Sequence, residues 1–89
     1  MEISEFRNII DKIDNELVKL LESRMNAVLS IAELKKQQKL PILDASREQE
    51  LLAKVASKVE NPDFTDTVTS TFQDILKHSR AYQQAHLEK

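Results

Sequence analysis

The chain has 89 residues with no Gly, no Cys and two Pro, and its 13 basic and 15 acidic residues give a formal net charge of −2. This composition excludes glycine-rich phosphate loops, disulfides and thiolate metal sites, and the charge balance argues against a nucleic-acid-binding protein. No apolar run approaches the ~18 residues of a membrane span and no signal-peptide core follows Met1, so we expect one cytoplasmic domain over residues 1–89 with no membrane partner.

The first predicted element is a long helix over Ile3 to about Gln38. This stretch lacks Gly and Pro, and its apolar side chains recur every three or four residues, as in an amphipathic helix. We predict Ser4 as the N-cap, with Glu5 in the first turn, where an acidic side chain interacts favourably with the helix dipole. Because proline disfavours helical backbone at the residue before it, Pro41 is predicted to end the helix and to leave residues 39–43 as an extended connector.

Two shorter helices are predicted to follow. The second runs from about Ala45 to Lys58, with Asp44 as its N-cap and a buried stripe of Leu and Val side chains. Asn61-Pro62-Asp63 then has the composition of a turn. The third helix is predicted from Phe64 or Thr65 to about Leu87; its Thr-rich start favours strand locally, but a strand there would have no partner. The predicted fold class is therefore all-α, with three helices.

The length of the first helix predicts a dimer. About 36 residues at a rise of 1.5 Å span roughly 54 Å, whereas a compact domain of this size has a diameter near ~30 Å. The two shorter helices cannot cover the whole apolar face of the first, and a second copy of the chain is the simplest cover. We expect an intertwined homodimer in which the long helices pack against each other.

Polar side chains interrupt the apolar stripes and share their phase. On the first helix, Arg24 and Lys35 occupy core-phase positions that are eleven residues, or three turns, apart. Ser79 and Gln83 continue the apolar stripe of the third helix, and Glu48 lies on the buried side of the second. Buried cations need an anionic partner. These donors and the single carboxylate predict a small pocket for a molecule with two carboxylates and a hydroxyl.

Each of these residues also has a simple explanation when it is taken alone. A long Lys or Arg on an apolar stripe usually extends to solvent, Ser79 can bond to its own helix, and Glu48 can stabilise the helix dipole. A metal site is not indicated, because His78 and His86 lack acidic companions at ligand spacing. A Ser-His nucleophile is not indicated either, since His78 points away from Ser79. The pocket is the preferred interpretation because all three helices carry polar side chains in phase with their apolar stripes.

The polar residues belong to a longer ordered series. Its members are Phe6-Arg7, Ile13-Asp14, residues 20–24, Lys35, residues 41–44, Arg47-Glu48, Leu51-Leu52, Ser79 and Gln83-Gln84. Each piece is weak, but the order and the separations are specific. Over essentially its whole length, the chain resembles the all-helical chorismate mutases of the small dimeric type. It departs from the family pattern at the Asn61-Pro62 turn and the Thr-rich start of the third helix, which concern helix boundaries more than chemistry.

The resemblance implies that the protein converts chorismate to prephenate, an intramolecular Claisen rearrangement at the branch towards phenylalanine and tyrosine. It implies neither a cofactor nor a metal. A homodimer would contain two equivalent sites, each built from both chains. Arg24 would bind a substrate carboxylate from its own chain, Arg7 would reach in from the partner, and Ser79 would assist a carboxylate.

The same resemblance implies roles for the remaining site residues. Glu48 and the backbone N–H of Asp44 would hold the ring hydroxyl of the substrate. Lys35 and Gln83 would donate to its ether oxygen, and Arg47 would line the site and hold its hydrogen-bond network together. The apolar walls would be Ile31, Leu51 and Leu76.

Three other functions stay open from the sequence. An isochorismate-pyruvate lyase shares this fold and much of this pocket, so small differences between pockets decide between the two enzymes. A non-catalytic regulatory or binding module would have no need to keep both Lys35 and Gln83. A helical interaction protein would leave its Arg and Lys side chains in solvent and would bind no small dianion.

Overall fold

The computed structural model describes residues 1–88, and three α-helices dominate that range. Helix α1 spans Ile3–Gln38, α2 spans Ala45–Lys58, a 3₁₀ turn spans Pro62–Phe64, and α3 spans Thr65–Leu87. The long first helix and the two shorter helices expected from the sequence are confirmed. Helix α3 packs against both α1 and α2 and is therefore the central element of the chain. None of the helices within residues 1–88 is long and apolar enough to span a membrane.

The start of α1 differs from the sequence-based prediction. Its N-cap is Glu2, whose backbone is extended and whose side chain makes no capping hydrogen bond. The backbone N–H groups of Glu5 and Phe6 donate to the Glu2 carbonyl oxygen, at 3.0 and 3.4 Å. Ser4 consequently lies inside the first turn, and its prediction as the N-cap is wrong. A serine caps a helix only when it precedes the helical residues, and here the backbone is already helical at Ile3.

Helix α1 ends at Gln38, shortly before the proline, through a residue in the left-handed conformation. Lys39 has φ 58° and ψ 37°. The Lys39 N–H donates to the Lys36 carbonyl oxygen at 3.2 Å, and the Leu40 N–H donates to the Lys35 carbonyl oxygen at 2.8 Å. These two bonds form a Schellman motif, in which glycine is the usual left-handed residue. The sequence predicted an extended connector over residues 39–43. That prediction is wrong at its first residue, because the chain reverses sharply at Lys39.

The other helix starts agree with the sequence pattern. Asp44 caps α2, since its Oδ1 accepts a hydrogen bond from the N–H of Arg47 at 3.0 Å. The Asn61 side chain accepts from the N–H of Asp63 at 2.9 Å and begins the 3₁₀ turn. Helix α3 then starts at Thr65, so the helical interpretation of the threonine-rich segment is confirmed. The 3₁₀ turn joins α2 to α3, and the N-terminal half of α2 lies opposite the C-terminal half of α3.

A single chain is elongated and buries few side chains. Its principal dimensions are 54 × 26 × 15 Å and its radius of gyration is 16.1 Å, whereas a compact domain of this length has about 12 Å. Among the described residues, only Ala32, Leu76, Ser79 and Gln83 are buried. Large apolar side chains are exposed along the N-terminal half of α1, namely Phe6, Ile9, Ile10, Ile13, Leu17, Val18 and Leu20.

Candidate functional site

A cavity of about 160 Å³ lies between the C-terminal half of α1, the connector, the start of α2 and the C-terminal half of α3. Ten of the eleven site residues expected from the sequence line it. They are Arg24, Ile31, Lys35, Asp44, Arg47, Glu48, Leu51, Leu76, Ser79 and Gln83. Residues from every helix therefore meet at one place. The volume lies below the range of about 300–1,000 Å³ that is typical of ligand pockets.

Arg7 is the exception among the expected site residues, since it does not line the cavity. It is exposed near the start of α1. Because Arg7 precedes Arg24 by 17 residues on one helix, the two positions are about 25 Å apart along the helix axis. An arginine side chain is much shorter than this distance. Arg7 therefore cannot take part in the cavity of its own chain.

Arg24 carries a buried donor without a partner. Its Nη1 atom is removed from solvent, and no group within residues 1–88 accepts a hydrogen bond from it. Leaving a buried polar group unpaired costs about 1–3 kcal/mol, and more when the group is charged. A carboxylate in the cavity would satisfy this guanidinium, since arginine and carboxylate groups form strong, often bidentate pairs. The geometry at Arg24 thus favours an anionic ligand.

The ammonium group of Lys35 is held at the cavity by the connector. Its Nζ donates to the backbone carbonyl oxygen of Ile42 at 2.8 Å, in a partly buried position. The reversal at Lys39 returns the chain towards α1 and brings this carbonyl within reach. An ammonium group has three donors, so two remain for a ligand. Lys35 is thus fixed at the cavity wall and does not extend freely into solvent.

Ser79 and Gln83 form the buried polar part of α3. Their exposed fractions are 5% and 7%. The Gln83 Nε2 atom donates to the Ser79 carbonyl oxygen at 3.3 Å and lies 3.4 Å from Ser79 Oγ. These distances exceed the usual range of about 2.7–3.2 Å for an N–H···O bond. The amide is therefore weakly engaged, and a ligand oxygen can compete for its N–H groups.

An ion pair joins α2 to α3 at the cavity. Arg80 Nη1 donates to Glu48 Oε1, and the two side chains are 33% and 23% exposed. Residues 48 and 80 are far apart along the chain, so this contact exists only in the folded structure. It connects a carboxylate of the expected site to a cation that the expected site does not contain.

The sequence pattern alone does not single out three of the lining residues, which are Val28, Ile42 and Arg80. A signal for Arg80 was present, because it follows Leu76 by four residues and precedes Gln83 by three. These separations place side chains on one face of a helix. Val28 likewise continues the apolar stripe of α1. Ile42 lies in the connector, where helical spacing carries no information about position.

Cations outnumber carboxylates around the cavity. Four lining residues are basic, namely Arg24, Lys35, Arg47 and Arg80, and two are acidic, namely Asp44 and Glu48. The formal excess is two positive charges. Since Asp44 Oδ1 already caps α2 and Glu48 is paired with Arg80, the remaining cations have no lining carboxylate of their own. This imbalance complements a ligand with two negative charges.

Arg47 lies where the cavity opens to solvent. Its Nη1 atom is 3.5 Å from Oε1 of Glu50, and both side chains are more than half exposed. Lys54, which hydrogen-bonds to Glu50, lowers the pKa of the Glu50 carboxyl below its ordinary value, and the charge of Arg47 adds to the effect. At neutral pH this carboxylate is ionised, so Arg47 has a local counter-ion outside the cavity.

The histidine nearest the end of α3 has a packing role. His86 Nε2 lies 2.8 Å from Glu33 Oε1 on α1, and its ring stacks on Tyr82 with a centroid separation of 6.3 Å. Across residues 1–88, no group of three or more His, Asp or Glu side chains is placed to hold a metal ion.

Comparison with known proteins relates this chain to an established family. Residues 6–84 match the family described as chorismate mutase type II. This chain belongs to that family. The match spans α2 and nearly all of α1 and α3, and so includes every residue that lines the cavity.

Individual relatives of the chain are also chorismate mutases or contain one. The chain is 30% identical over 88 residues to the chorismate mutase of Methanocaldococcus jannaschii, and that alignment covers 98% of this chain and 89% of the relative. It is 36% identical over 89 residues to a bifunctional chorismate mutase/prephenate dehydratase of Buchnera aphidicola subsp. Schizaphis graminum. The second alignment covers 99% of this chain and 23% of the longer relative, so this chain spans only a fraction of the bifunctional protein.

A solved structure shows the same fold. The chorismate mutase from Thermus thermophilus, in its form II, superposes with a TM-score of 0.85 at 29% sequence identity. The superposition covers 92% of this chain and 93% of the other. The three-helix architecture with a long first helix is therefore that of the chorismate mutase type II family.

Proposed function

We propose that this protein is a chorismate mutase and that the cavity is its active site. Family membership supports the activity. The observation that carries the assignment of the site is the buried Nη1 of Arg24, which has no acceptor within residues 1–88. Chorismate has two carboxylates, a ring hydroxyl and an ether oxygen. It can supply the acceptor that Arg24 lacks and the negative charge that the lining residues complement.

Binding accounts for the first part of the catalysis. Arg24 binds one substrate carboxylate, Ser79 assists a carboxylate, and Arg7 of the partner subunit completes the clamp. Holding both carboxylates restricts the flexible substrate to the compact, chair-like geometry that the rearrangement requires. Such restriction raises the rate of the reaction, because the substrate loses its conformational entropy on binding, before the transition state is reached.

Electrostatic stabilisation accounts for the second part. The C–O bond breaks ahead of C–C bond formation, so negative charge develops on the ether oxygen. Donors at Lys35 and Gln83 stabilise that charge more in the transition state than in the ground state. A millionfold acceleration corresponds to ~8 kcal/mol, and one preorganised donor contributes about 3–4 kcal/mol. Two such donors together with restriction of the substrate account for that total.

The remaining lining residues position the substrate ring. Glu48 and the backbone N–H of Asp44 hold the ring hydroxyl, and Arg47 holds the hydrogen-bond network at the mouth of the cavity. The apolar walls are Ile31, Leu51 and Leu76. The rearrangement transfers no group to the protein, so each of these side chains acts by binding and by charge, and none acts as a nucleophile.

We further propose that the active enzyme is a homodimer. The exposed apolar side chains in the N-terminal half of α1 support this, because a contiguous exposed apolar surface marks an interface. Arg7 is also too far from the cavity of its own chain, so only a second copy can bring it to the substrate. The small cavity volume agrees with a wall that the partner completes. The cytoplasmic location and the lack of a nucleic-acid partner stay predictions from the sequence.

The direct test is to follow the loss of chorismate absorbance with purified protein and to identify the product. We expect prephenate, and an Arg24→Ala variant should show almost no turnover. Parallel incubation with isochorismate tests the lyase, which would release salicylate and pyruvate. If prephenate binds with measurable heat in calorimetry but chorismate is not consumed, the protein is a binding module and the proposed activity is wrong.

A further inference from the structure

Arg80 is the one charged lining residue, within the described part of the chain, that has no role in the mechanism above. Its Nη1 donates to Glu48 Oε1 and so connects α3 to α2 beside the cavity. We propose that Arg80 is a positioning residue, which orients the Glu48 carboxylate towards the ring hydroxyl of the substrate. This inference rests on the proposed function, because the ring hydroxyl is what Glu48 is positioned to meet.

The Arg80–Glu48 pair differs from the surface ion pairs of this chain. The Lys19–Glu16 and Lys54–Glu50 pairs each join residues three or four apart on one helix, and their side chains are more than half exposed. Pairs of that kind contribute little. Arg80 and Glu48 are each at least two-thirds buried and come from different helices. Less solvent strengthens their attraction and makes it costly to leave either charge unpaired.

The pair restricts the Glu48 side chain. Glu48 lies in the first turn of α2, and an unrestrained glutamate of this kind samples several rotamers that must be lost when it binds a hydroxyl. Arg80 engages Oε1, which leaves Oε2 of the same carboxylate to accept from the substrate. The carboxylate is therefore already in place when the substrate arrives.

The pair also offsets an unfavourable charge. Chorismate carries two negative charges, and an unpaired Glu48 carboxylate in the same cavity would repel them. The guanidinium of Arg80 neutralises Glu48 without removing its ability to accept a hydrogen bond. Arginine suits this task because it stays charged at all relevant pH values and presents several donors in a fixed plane.

A double-mutant cycle tests the proposal. The proteins are wild type, Arg80→Met, Glu48→Ala and the double variant, with kcat and KM for chorismate and the thermal unfolding midpoint measured for each. We expect Arg80→Met to lower kcat/KM by about tenfold, since a hydrogen bond to a charged group is lost. In the Glu48→Ala background the same substitution should change kcat/KM by less than about twofold, because no carboxylate remains to be positioned.

Two further variants complete the design. Arg80→Lys keeps the charge but loses the planar donors, and it should recover part of the activity lost in Arg80→Met. If Arg80→Met does not fold, Arg80→Lys takes its place in the cycle. The substitution is then again expected to have no effect on kcat/KM in the Glu48→Ala background. Lys54→Met breaks the exposed pair with Glu50 and should leave kcat/KM unchanged.

Two results would overturn the inference while the wild-type enzyme is active. The first is an Arg80→Met protein with kcat/KM within about twofold of wild type. The second is a double variant in which the two losses multiply in full, since Arg80 would then act independently of Glu48. A wild-type protein that does not consume chorismate contradicts the proposed function itself and removes the inference with it.

Discussion

At the scale of single residues, Lys35 takes part both in the motif that ends α1 and in the wall of the cavity. Its backbone carbonyl accepts the N–H of Leu40 in the Schellman motif, and its ammonium donates to the carbonyl of Ile42. Both contacts depend on the same reversal of the chain. The donor proposed for the ether oxygen is therefore positioned by backbone geometry and not by a neighbouring side chain.

Replacing this donor should remove catalysis and preserve the fold. We expect Lys35→Ala to lower kcat by about 10²–10³-fold, which is the usual loss when one preorganised donor to a developing oxyanion is removed. The adjacent Lys36 is exposed and does not line the cavity, so Lys36→Ala is the matched control and should keep its activity. Steady-state kinetics and thermal unfolding of both variants check this. A Lys35→Ala protein that retains most of its kcat would show that the electrostatic assignment is wrong.

Most of the candidate site could be predicted at the residue scale because its members share the phase of apolar stripes. Arg24 and Lys35 follow from the spacing on α1 alone, and the resemblance supplies the roles of Glu48 and the backbone of Asp44. Arg80 also shares the phase of the stripe on α3, but its role could not be assigned from that spacing. Its partner Glu48 is on another helix, and only the packing of α3 against α2 brings the two together.

At the scale of helices, the left-handed residue after α1 is a weak point. Lys39 adopts φ 58° although the chain contains no glycine. A side chain with a Cβ atom in this conformation costs roughly 1–2 kcal/mol, a penalty that glycine does not have.

Lys39→Gly should consequently stabilise the protein by about 1 kcal/mol, after part of the gain is offset by the greater freedom of glycine in the unfolded chain. Lys39→Ala is the control, because alanine keeps the Cβ atom and should bring no comparable gain. Chemical denaturation at one protein concentration measures both. Equal stability of the glycine and alanine variants would mean that the left-handed conformation at residue 39 carries no penalty.

The helix boundaries show which local signals are reliable. Asp44 was predictable as an N-cap because a short acceptor side chain stands directly before helical residues, and it accepts a backbone N–H as expected. Asn61 was predicted only as part of a turn, and its side chain also accepts a backbone N–H. Ser4 satisfies the same compositional rule, yet the backbone is already helical one residue before it. The end of α1 was harder, because the usual glycine signal is missing and Pro41 marks the boundary only indirectly.

At the scale of the whole molecule, the proposed homodimer rests on the exposed apolar face of α1. The chain extends over 54 Å, close to the helix length expected from 36 residues. The arithmetic of helix rise therefore predicted the shape of the chain. The position of the proposed second chain has no comparable signal, because an apolar stripe indicates an interface without indicating how the covering helix would be placed.

Sedimentation at micromolar concentration should give the mass of two chains. Ile13 is 58% exposed in the isolated chain, and Ile13→Glu should shift the mass towards one chain, since a charge at an apolar interface is expensive to bury. Lys19→Ala is the control, because Lys19 is exposed and pairs with Glu16 in an exposed ion pair. A wild-type mass of one chain would contradict the proposed homodimer.

The most direct test of the account combines its activity, its site and its assembly by mixing two inactive variants. Arg7→Ala and Arg24→Ala proteins, allowed to exchange subunits, should form mixed dimers in which one of the two sites has both arginines. Random pairing should restore about a quarter of wild-type turnover of chorismate. A mixture of Arg24→Ala with Lys35→Ala should stay inactive, because those two residues line the cavity of the same chain. No recovery in the first mixture, with exchange verified by mass, would contradict a chorismate mutase site shared between two subunits.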